Sequence, residues 1–424
     1  MNSISIQPQN LPEKLIWYYI IGNYLIYLLG VQYIFAPLLA TFLTFYLFKK
    51  WWNQTEETTS DEKINISLSA WIWIVAALVI EVALIIGHLD FDLGAYTLTR
   101  SSLTWYRGWG IFALFILVGH LNIRPKLIYR SICILCLQSL FFLLLASLTI
   151  IFKMPNIVYT YPFKFLGGIV ESYEVVFFYV IDEGKVRLQL FAPWAPALGM
   201  LGNLYFCIIL QEIDKKWRYI GMIGAVAMIV SSVSRLALLC LPIVLLSVWL
   251  LTNFFRPWLL LTAGFVSTLL GITSPVMIDF METFKEHFHK ARAGSSAVRA
   301  ALQRMAKEAW WNEARIWGHG ALERRGPAYL GYMPIGTHHM WFGILYAHGI
   351  VGFLALVGAL LWSFLVLLIK AQTDKNAMLG LQLILVMLLF TVAENLDTFA
   401  YVYWPALVIL GIAFKPNATQ NVKN

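Results

Sequence analysis

Along the chain, runs of apolar residues without period-2 alternation are separated by short joints that carry charged or turn-forming residues. The runs fall at about 15 to 30, 32 to 48, 68 to 87, 105 to 120, 131 to 151, 192 to 210, 219 to 233, 236 to 252, 257 to 276, 340 to 369, 377 to 393 and 399 to 414. Apolarity sustained over this length is the mark of a segment that crosses a bilayer, where every backbone N–H and C=O must be bonded within the segment itself. Helices meet that condition, so the pattern predicts an all-α, polytopic membrane protein. It would have about 12 transmembrane helices in a single transmembrane domain covering residues 1–424.

Composition agrees. Apolar residues make up 60% of the 424 positions and charged residues 13%, against about 45 to 50% and about 25% in a soluble domain. Twelve spans of about 20 residues use roughly 240 positions, nearly the whole apolar inventory. Little is left for a soluble domain, and a secreted disulfide scaffold, a disordered chain and a nucleic-acid-binding domain are excluded, although the net charge is +8. Cys133, Cys136, Cys207 and Cys240 all lie inside apolar runs. The C-x-x-C of the first pair has no histidine or redox partner nearby, so all four read as buried structural thiols. No cleavable leader is legible, since the first run follows Lys14 and passes into the second without a small-residue cleavage pattern.

Charge in the joints sets the orientation. With the N-terminus cytoplasmic, the inner joints hold Lys49 and Lys50, then Arg124, Lys126 and Arg130, then Lys215, Lys216 and Arg218, then Arg256, Lys370 and Lys375, and finally Lys415 and Lys423. The short outer joints carry one or two basic residues at most, so both termini are expected on the cytoplasmic side. Two outer segments are long, 152–191 and 277–339. The first is rich in Tyr and Phe and reads as interfacial or partly re-entrant.

The segment 277–339 is expected to be a large periplasmic loop, and it is basic: Lys285, Lys290, Arg292, Arg299, Arg304, Lys307, Arg315, Arg324 and Arg325. Long loops escape the charge rule, and two readings stand: an amphipathic helix lying on anionic lipid, or a surface that receives an anionic substrate. Val298, Ala301, Leu302, Met305 and Ala309 have helical spacing, with Ser295 or Ser296 as N-cap and Gly318 as stop. Arg299 would then lie in the first turn, where the helix dipole disfavours a cation. A guanidinium beside helix N–H groups suits a phosphate, so Arg299 reads as an anion ligand.

Three segments in this order resemble the O-antigen ligase and polymerase family of integral-membrane glycosyltransferases. SSVSRLALLCLP, with Arg235, is similar to the family's Ser-Arg before small and apolar residues. SSAVRAALQRMAKEAWWNEARIWGHG supplies an arginine, a helix and Gly-x-Gly as Arg299, Gly318 and Gly320. THHMWFGILYAHGIVGFLAL, counted back from Gly349 and Gly352, places His338 on the family's functional histidine. The chain departs from the pattern at His339, where the family has asparagine, and at Arg315, where it often has proline. VRLQLFAPWAPALGML, with Arg187, matches an arginine motif more loosely, since both of its asparagine positions are lost.

The resemblance implies transfer of a glycan from a polyprenyl (undecaprenyl) diphosphate carrier to an acceptor hydroxyl, on a lipid A-core or a growing glycan, at the periplasmic face of the bacterial inner membrane. It implies His338 as general base and Arg187, Arg235 and Arg299 as diphosphate ligands, without cofactor or metal and with inversion. A histidine with an ordinary pKa of about 6.5 suits the first role, and the permanently charged, forked guanidinium suits the second. His339 can replace His338 if the register slips by one, and Arg315 is a secondary candidate.

Three carboxylates are open to a chemical reading. Asp90 and Asp92 form a D-x-D that can hold a divalent ion, but a lone D-x-D is weak evidence and an interfacial loop is the preferred reading. Glu81 falls within an apolar run, where an acid needs a partner or a proton. The run that begins at His338 is about 32 residues, roughly 48 Å as helix, longer than the hydrocarbon core of about 30 Å. It must break near Gly349 or rise above the lipid, and either way His338 reaches an outward cavity. Competing readings are a transporter or flippase for an anionic glycolipid and a non-catalytic scaffold of an envelope-polysaccharide complex. A transporter would place charge along a path through several helices, whereas the runs other than that of Glu81 are almost free of it.

Overall fold

Every one of the twelve apolar runs forms helix in the computed structural model, which describes residues 6–57, 62–166, 170–182, 184–254, 256–274, 278, 293–322, 326–330 and 332–416. The first run is two helices, α1 (Leu11–Ile21) and α2 (Asn23–Leu28), separated at Gly22. Then come α3 (Gln32–Trp52), α4 (Leu68–Asp90), α5 (Ala95–Trp105), a π-helical turn Tyr106–Gly110, α6 (Ile111–Val118) and α7 (Pro125–Ile151). After an irregular segment follow α8 (Ala195–Ile209), α9 (Lys215–Ser231), α10 (Arg235–Asn253), α11 (Pro257–Ile272) and α12 (Ala293–Glu313). The chain closes with α13 (Met340–Lys370), α14 (Lys375–Phe390) and α15 (Ala400–Phe414). Among the described residues five helical segments are long and apolar enough to cross a membrane: Leu68–Asp90, Pro125–Ile151, Arg235–Asn253, Met340–Lys370 and Leu396–Phe414.

Local chemistry sets several helix starts. The side chains of Ser67, Asp214 and Asp374 accept hydrogen bonds from the amides of Ala70, Lys216 and Asn376, which satisfies N–H groups that have no partner in the first turn. In the middle of the bundle α15 is buried along its whole length, and it packs on α6, α14 and α3. The pairing of α4 with α13 includes two indole donors, Trp73 Nε1 to Ser363 Oγ at 2.9 Å and Trp362 Nε1 to Ser69 Oγ at 3.1 Å. Some cations that served to predict orientation also have buried partners: Arg130 donates to both carboxylate oxygens of Glu212 at 3.1 and 3.0 Å. Cys133, Cys136, Cys207 and Cys240 are all free and buried.

Two expectations need correction. The fold is mostly helical, 73%, but the segment 152–191 adds two short antiparallel pairs, β1 (Val158–Thr160) with β2 (Glu174–Val176) and β3 (Val180–Asp182) with β4 (Lys185–Arg187). Its Tyr, Phe and Val residues favour extended backbone as readily as a headgroup position. The other correction concerns α12, already helical at Ala293 and finished at Glu313. Ser295 and Ser296 therefore lie inside it, Arg299 is beyond its first turn, and Gly318 is not its stop. The anion-site argument from a helix N-terminus at Arg299 is lost.

The apolar face predicted for α12 is present. Leu302 and Ala306 are fully buried against Ile335 and Tyr346, with Val298, Ala301, Met305 and Ala309 alongside. That face covers the bundle instead of lying on lipid. Lys285, Lys290, Arg292, Arg324, Arg325 and Lys423 lie outside the described residues.

Candidate functional site

The site is organised by a break in α13. Gly349 has φ 60° and ψ −163°, which interrupts the helical hydrogen-bond ladder, and the segment 315–320 fills the gap. Across it the amides of His319 and Gly320 donate to the carbonyls of Tyr346 and Ala347 at 2.8 and 2.9 Å, and the amides of Ile350 and Val351 donate to the carbonyls of Arg315 and Ile316 at 2.9 and 3.3 Å. Groups orphaned by the kink thus regain partners from a second chain segment, as a broken helix at membrane depth requires. The approach is too close for a side chain. A Cβ on Gly318, whose φ is +73°, would stand 2.4 Å from the Gly349 amide nitrogen, and a Cβ on Gly349 would stand 2.2 Å from the Ile316 carbonyl oxygen.

The first half of the broken helix carries His338 at its threshold. Two hydrogen bonds from the joint 391–395 fix the approach: Asn395 Nδ2 donates to the Gly336 carbonyl at 3.1 Å, and the Met340 amide donates to the Thr391 carbonyl at 3.0 Å. Between these clamps His338 has φ 62°, a left-handed conformation that histidine adopts more readily than most side chains and that persists where surroundings enforce it.

His338, Arg299 and Arg187 line one cavity of about 1660 Å³, together with Glu394, Trp194 and Asp397. They come from different parts of the chain: the end of β4, the middle of α12, the loop before α13 and the joint before α15. Burial, with the Arg299 charge added to it, pushes the His338 imidazole down to about 4, so the ring is neutral with a free lone pair at physiological pH. Glu394 is 4% exposed, and its Oε2 accepts from Trp194 Nε1 at 2.9 Å. Burial pushes this carboxyl up to about 7, while Arg299 and the indole hold it down. Arg299 is therefore in electrostatic contact with both an acid and a base.

The remaining candidates fall elsewhere. Arg235 is the first residue of α10, behind the Ser234 cap, and is not among the cavity residues. It lies near the root of Arg187, because the Leu188 amide donates to the Ser231 carbonyl at 3.1 Å. Arg315 turns outward over the Trp311 ring, 4.2 Å from its centroid, and donates to the Trp311 carbonyl; its contribution to the site is the backbone carbonyl that receives Ile350. His339 is the N-cap residue of α13 and packs on Phe342 at 4.6 Å between centroids; burial lowers its pKa, but the ring is not part of the cavity lining. Glu81 is partly buried and outside the cavity. Asp90 and Asp92 are exposed, and among the described residues no cluster of three or more His, Cys, Asp or Glu groups could hold a metal.

Glu394, Trp194 and Asn395 are the site residues that sequence reading missed. Glu394 and Asn395 sit in ENLDT, which reads as a short outer joint, and nothing in that joint announces a contact with Gly336 some 59 residues away. An acid between two apolar runs was the one available signal.

No curated protein matches the chain in sequence. The profile described as O-Antigen ligase matches residues 220–357. The match contains Arg235, Arg299, the Gly318 and Gly320 pair, His338 and the Gly349 kink, and leaves Arg187 and Glu394 outside. The match spans about a third of the chain, and over those residues the chain is similar to the O-antigen ligase family.

Proposed function

We propose that the protein transfers a glycan from a polyprenyl diphosphate carrier to an acceptor hydroxyl, in O-antigen ligation or polymerisation, within the cavity of His338, Arg299 and Arg187. The observation that carries this reading is the convergence of two guanidinium groups and a neutral imidazole, from three distant segments, on one cavity. In the proposed step the acceptor hydroxyl attacks the anomeric carbon of the carrier-linked sugar, and the bond from that carbon to the diphosphate oxygen breaks. The hydroxyl proton passes to His338, and the electron pair leaves on the diphosphate, whose growing charge Arg299 and Arg187 stabilise. One displacement inverts the anomeric centre. Arg235 is assigned a supporting place beside the Arg187 strand.

A base held near pKa 4 is weak, yet wholly unprotonated at pH 7, and its proton affinity rises once an anionic diphosphate offsets the Arg299 charge. We place the cavity at the periplasmic end of a multi-pass inner-membrane bundle with both termini cytoplasmic and 277–339 as an outer loop. The basic inner joints support that placement.

The test is release of polyprenyl diphosphate by purified protein given a carrier-linked glycan and an acceptor. His338→Ala and Arg299→Ala should each lower the rate by at least about a hundredfold. Unchanged release in both variants overturns the assignment. Loss of activity on chelation would bring Asp90 and Asp92 back as metal ligands, and movement of intact glycolipid across a vesicle without diphosphate release would favour a transporter.

A further inference from the structure

The same cavity has a wall that the transfer chemistry does not use. α5, which continues through the π-helical turn into α6, has no buried residue, and Tyr96, Thr97, Arg100, Ser101 and Thr104 all line the cavity. Their spacing of i, i+1, i+4, i+5 and i+8 is one helical face. A helix that merely packed on the bundle would turn an apolar stripe inward; this one presents Arg100 and the Tyr96 hydroxyl to the cavity, while the hydroxyls of Ser101 and Thr104 on the same face are bonded to His88 Nε2 and to the Arg100 carbonyl.

Arg100 is poised there. Its guanidinium lies 5.6 Å from the Tyr96 ring centroid, and Nη1 donates to the Tyr96 hydroxyl at 3.3 Å. No carboxylate pairs with it among the described residues. The wall is fixed from behind, where Ser101 Oγ lies 3.1 Å from His88 Nε2 and Trp105 Nε1 donates to the Ala77 carbonyl at 2.9 Å. Size points the same way: the cavity volume of about 1660 Å³ exceeds the roughly 300 to 1,000 Å³ of a site for one small ligand, and a transfer reaction needs two substrates at once.

We infer that α5 forms the acceptor subsite, in which Arg100 binds a phosphate or other anionic group on the acceptor glycolipid and Tyr96 stacks against its sugar. This rests on the transferase reading above. It assigns the two substrates to separate cations: Arg187 and Arg299 hold the donor diphosphate, and Arg100 selects the acceptor.

Equilibrium binding to the purified full chain tests it without turnover. The probes are lipid A carrying a phosphorylated core oligosaccharide, and the same glycolipid after phosphatase treatment. The wild type should prefer the phosphorylated probe by roughly ten- to a hundredfold, the range of one charge-assisted hydrogen-bonded contact. Arg100→Ala should abolish that preference, Arg100→Lys should keep part of it, and Tyr96→Leu should weaken both probes equally. A preference that survives Arg100→Ala overturns the inference. So does displacement of the glycolipid by an equal concentration of phosphatidylglycerol, which would make Arg100 a general lipid-headgroup contact. Loss of donor binding in Arg100→Ala with the acceptor unaffected would move the donor glycan to this wall. Absence of diphosphate release by the wild type, by contrast, defeats the transferase reading and leaves these binding outcomes to be read on their own.

Discussion

Asn395 donates its side-chain amide to the carbonyl of Gly336 at 3.1 Å, two residues before the histidine at the centre of the cavity. The joint between α14 and α15 thus aims a ring that belongs to a distant segment. Asn395→Ala should leave the fold intact and lower kcat about fivefold to tenfold, the equivalent of one hydrogen bond of about 1 kcal/mol. KM for the donor should change less. A parallel rise in donor KM with kcat unchanged would assign Asn395 to binding instead.

Glu394 gives a stability signature. Its folded-state carboxyl is pushed up to about 7 from an ordinary 4.5, so between those values the folded protein holds a proton that the unfolded chain has lost. Stability from this group is complete below about pH 4.5 and falls until about pH 7. His338, pushed down to about 4, acts in the opposite sense between about pH 4 and 6.5. The informative quantity is the difference in unfolding stability between the wild type and Glu394→Gln. It should decline by roughly a few kcal/mol from pH 4.5 to 7 and stay level above. A difference independent of pH would mean that the carboxylate is ionised throughout.

The Arg299 charge acts on His338 in addition to burial. In Arg299→Gln the acid limb of kcat/KM should move upward from about pH 4, without reaching the ordinary value of about 6.5 because burial remains. Overall activity will be low, and the shape of the profile is the readout. An unmoved limb would place the cation too far from the imidazole to matter.

The broken helix supplies a steric test. Gly318→Ala forces a left-handed φ on a side chain that has no room beside Gly349, at a cost of about 3 kcal/mol or more. Gly264→Ala, inside α11, meets nothing within 4 Å and should stabilise by about 0.5 to 1 kcal/mol. Thermal unfolding in one detergent compares the two. Equal midpoints would mean that the segment 315–320 does not bear on the kink.

Local pattern was enough for the helices. Apolar runs such as 131 to 151 and 340 to 369 exceed what any packed strand needs, and backbone bonding inside lipid leaves helix as their conformation. Length arithmetic narrowed α13 to two outcomes, a break near Gly349 or first turns above the lipid, because about 48 Å of apolar helix does not fit a hydrocarbon core of about 30 Å, and the structure has the break at Gly349. The apolar face of α12 followed from its 3.6-residue period.

Convergence depended on tertiary structure. Arg187 reaches the cavity from the end of the β3–β4 hairpin, whose register depends on partners that no local pattern names. Arg235 and Arg299 look alike as motif arginines, yet only Arg299 opens onto the cavity. Glu394 and Arg100 read as ordinary residues of outer joints, and the burial of the first and the outlook of the second depend on helices folded around them. A side chain's periodicity is local, whereas its electrostatic environment is made by whatever the rest of the chain brings beside it.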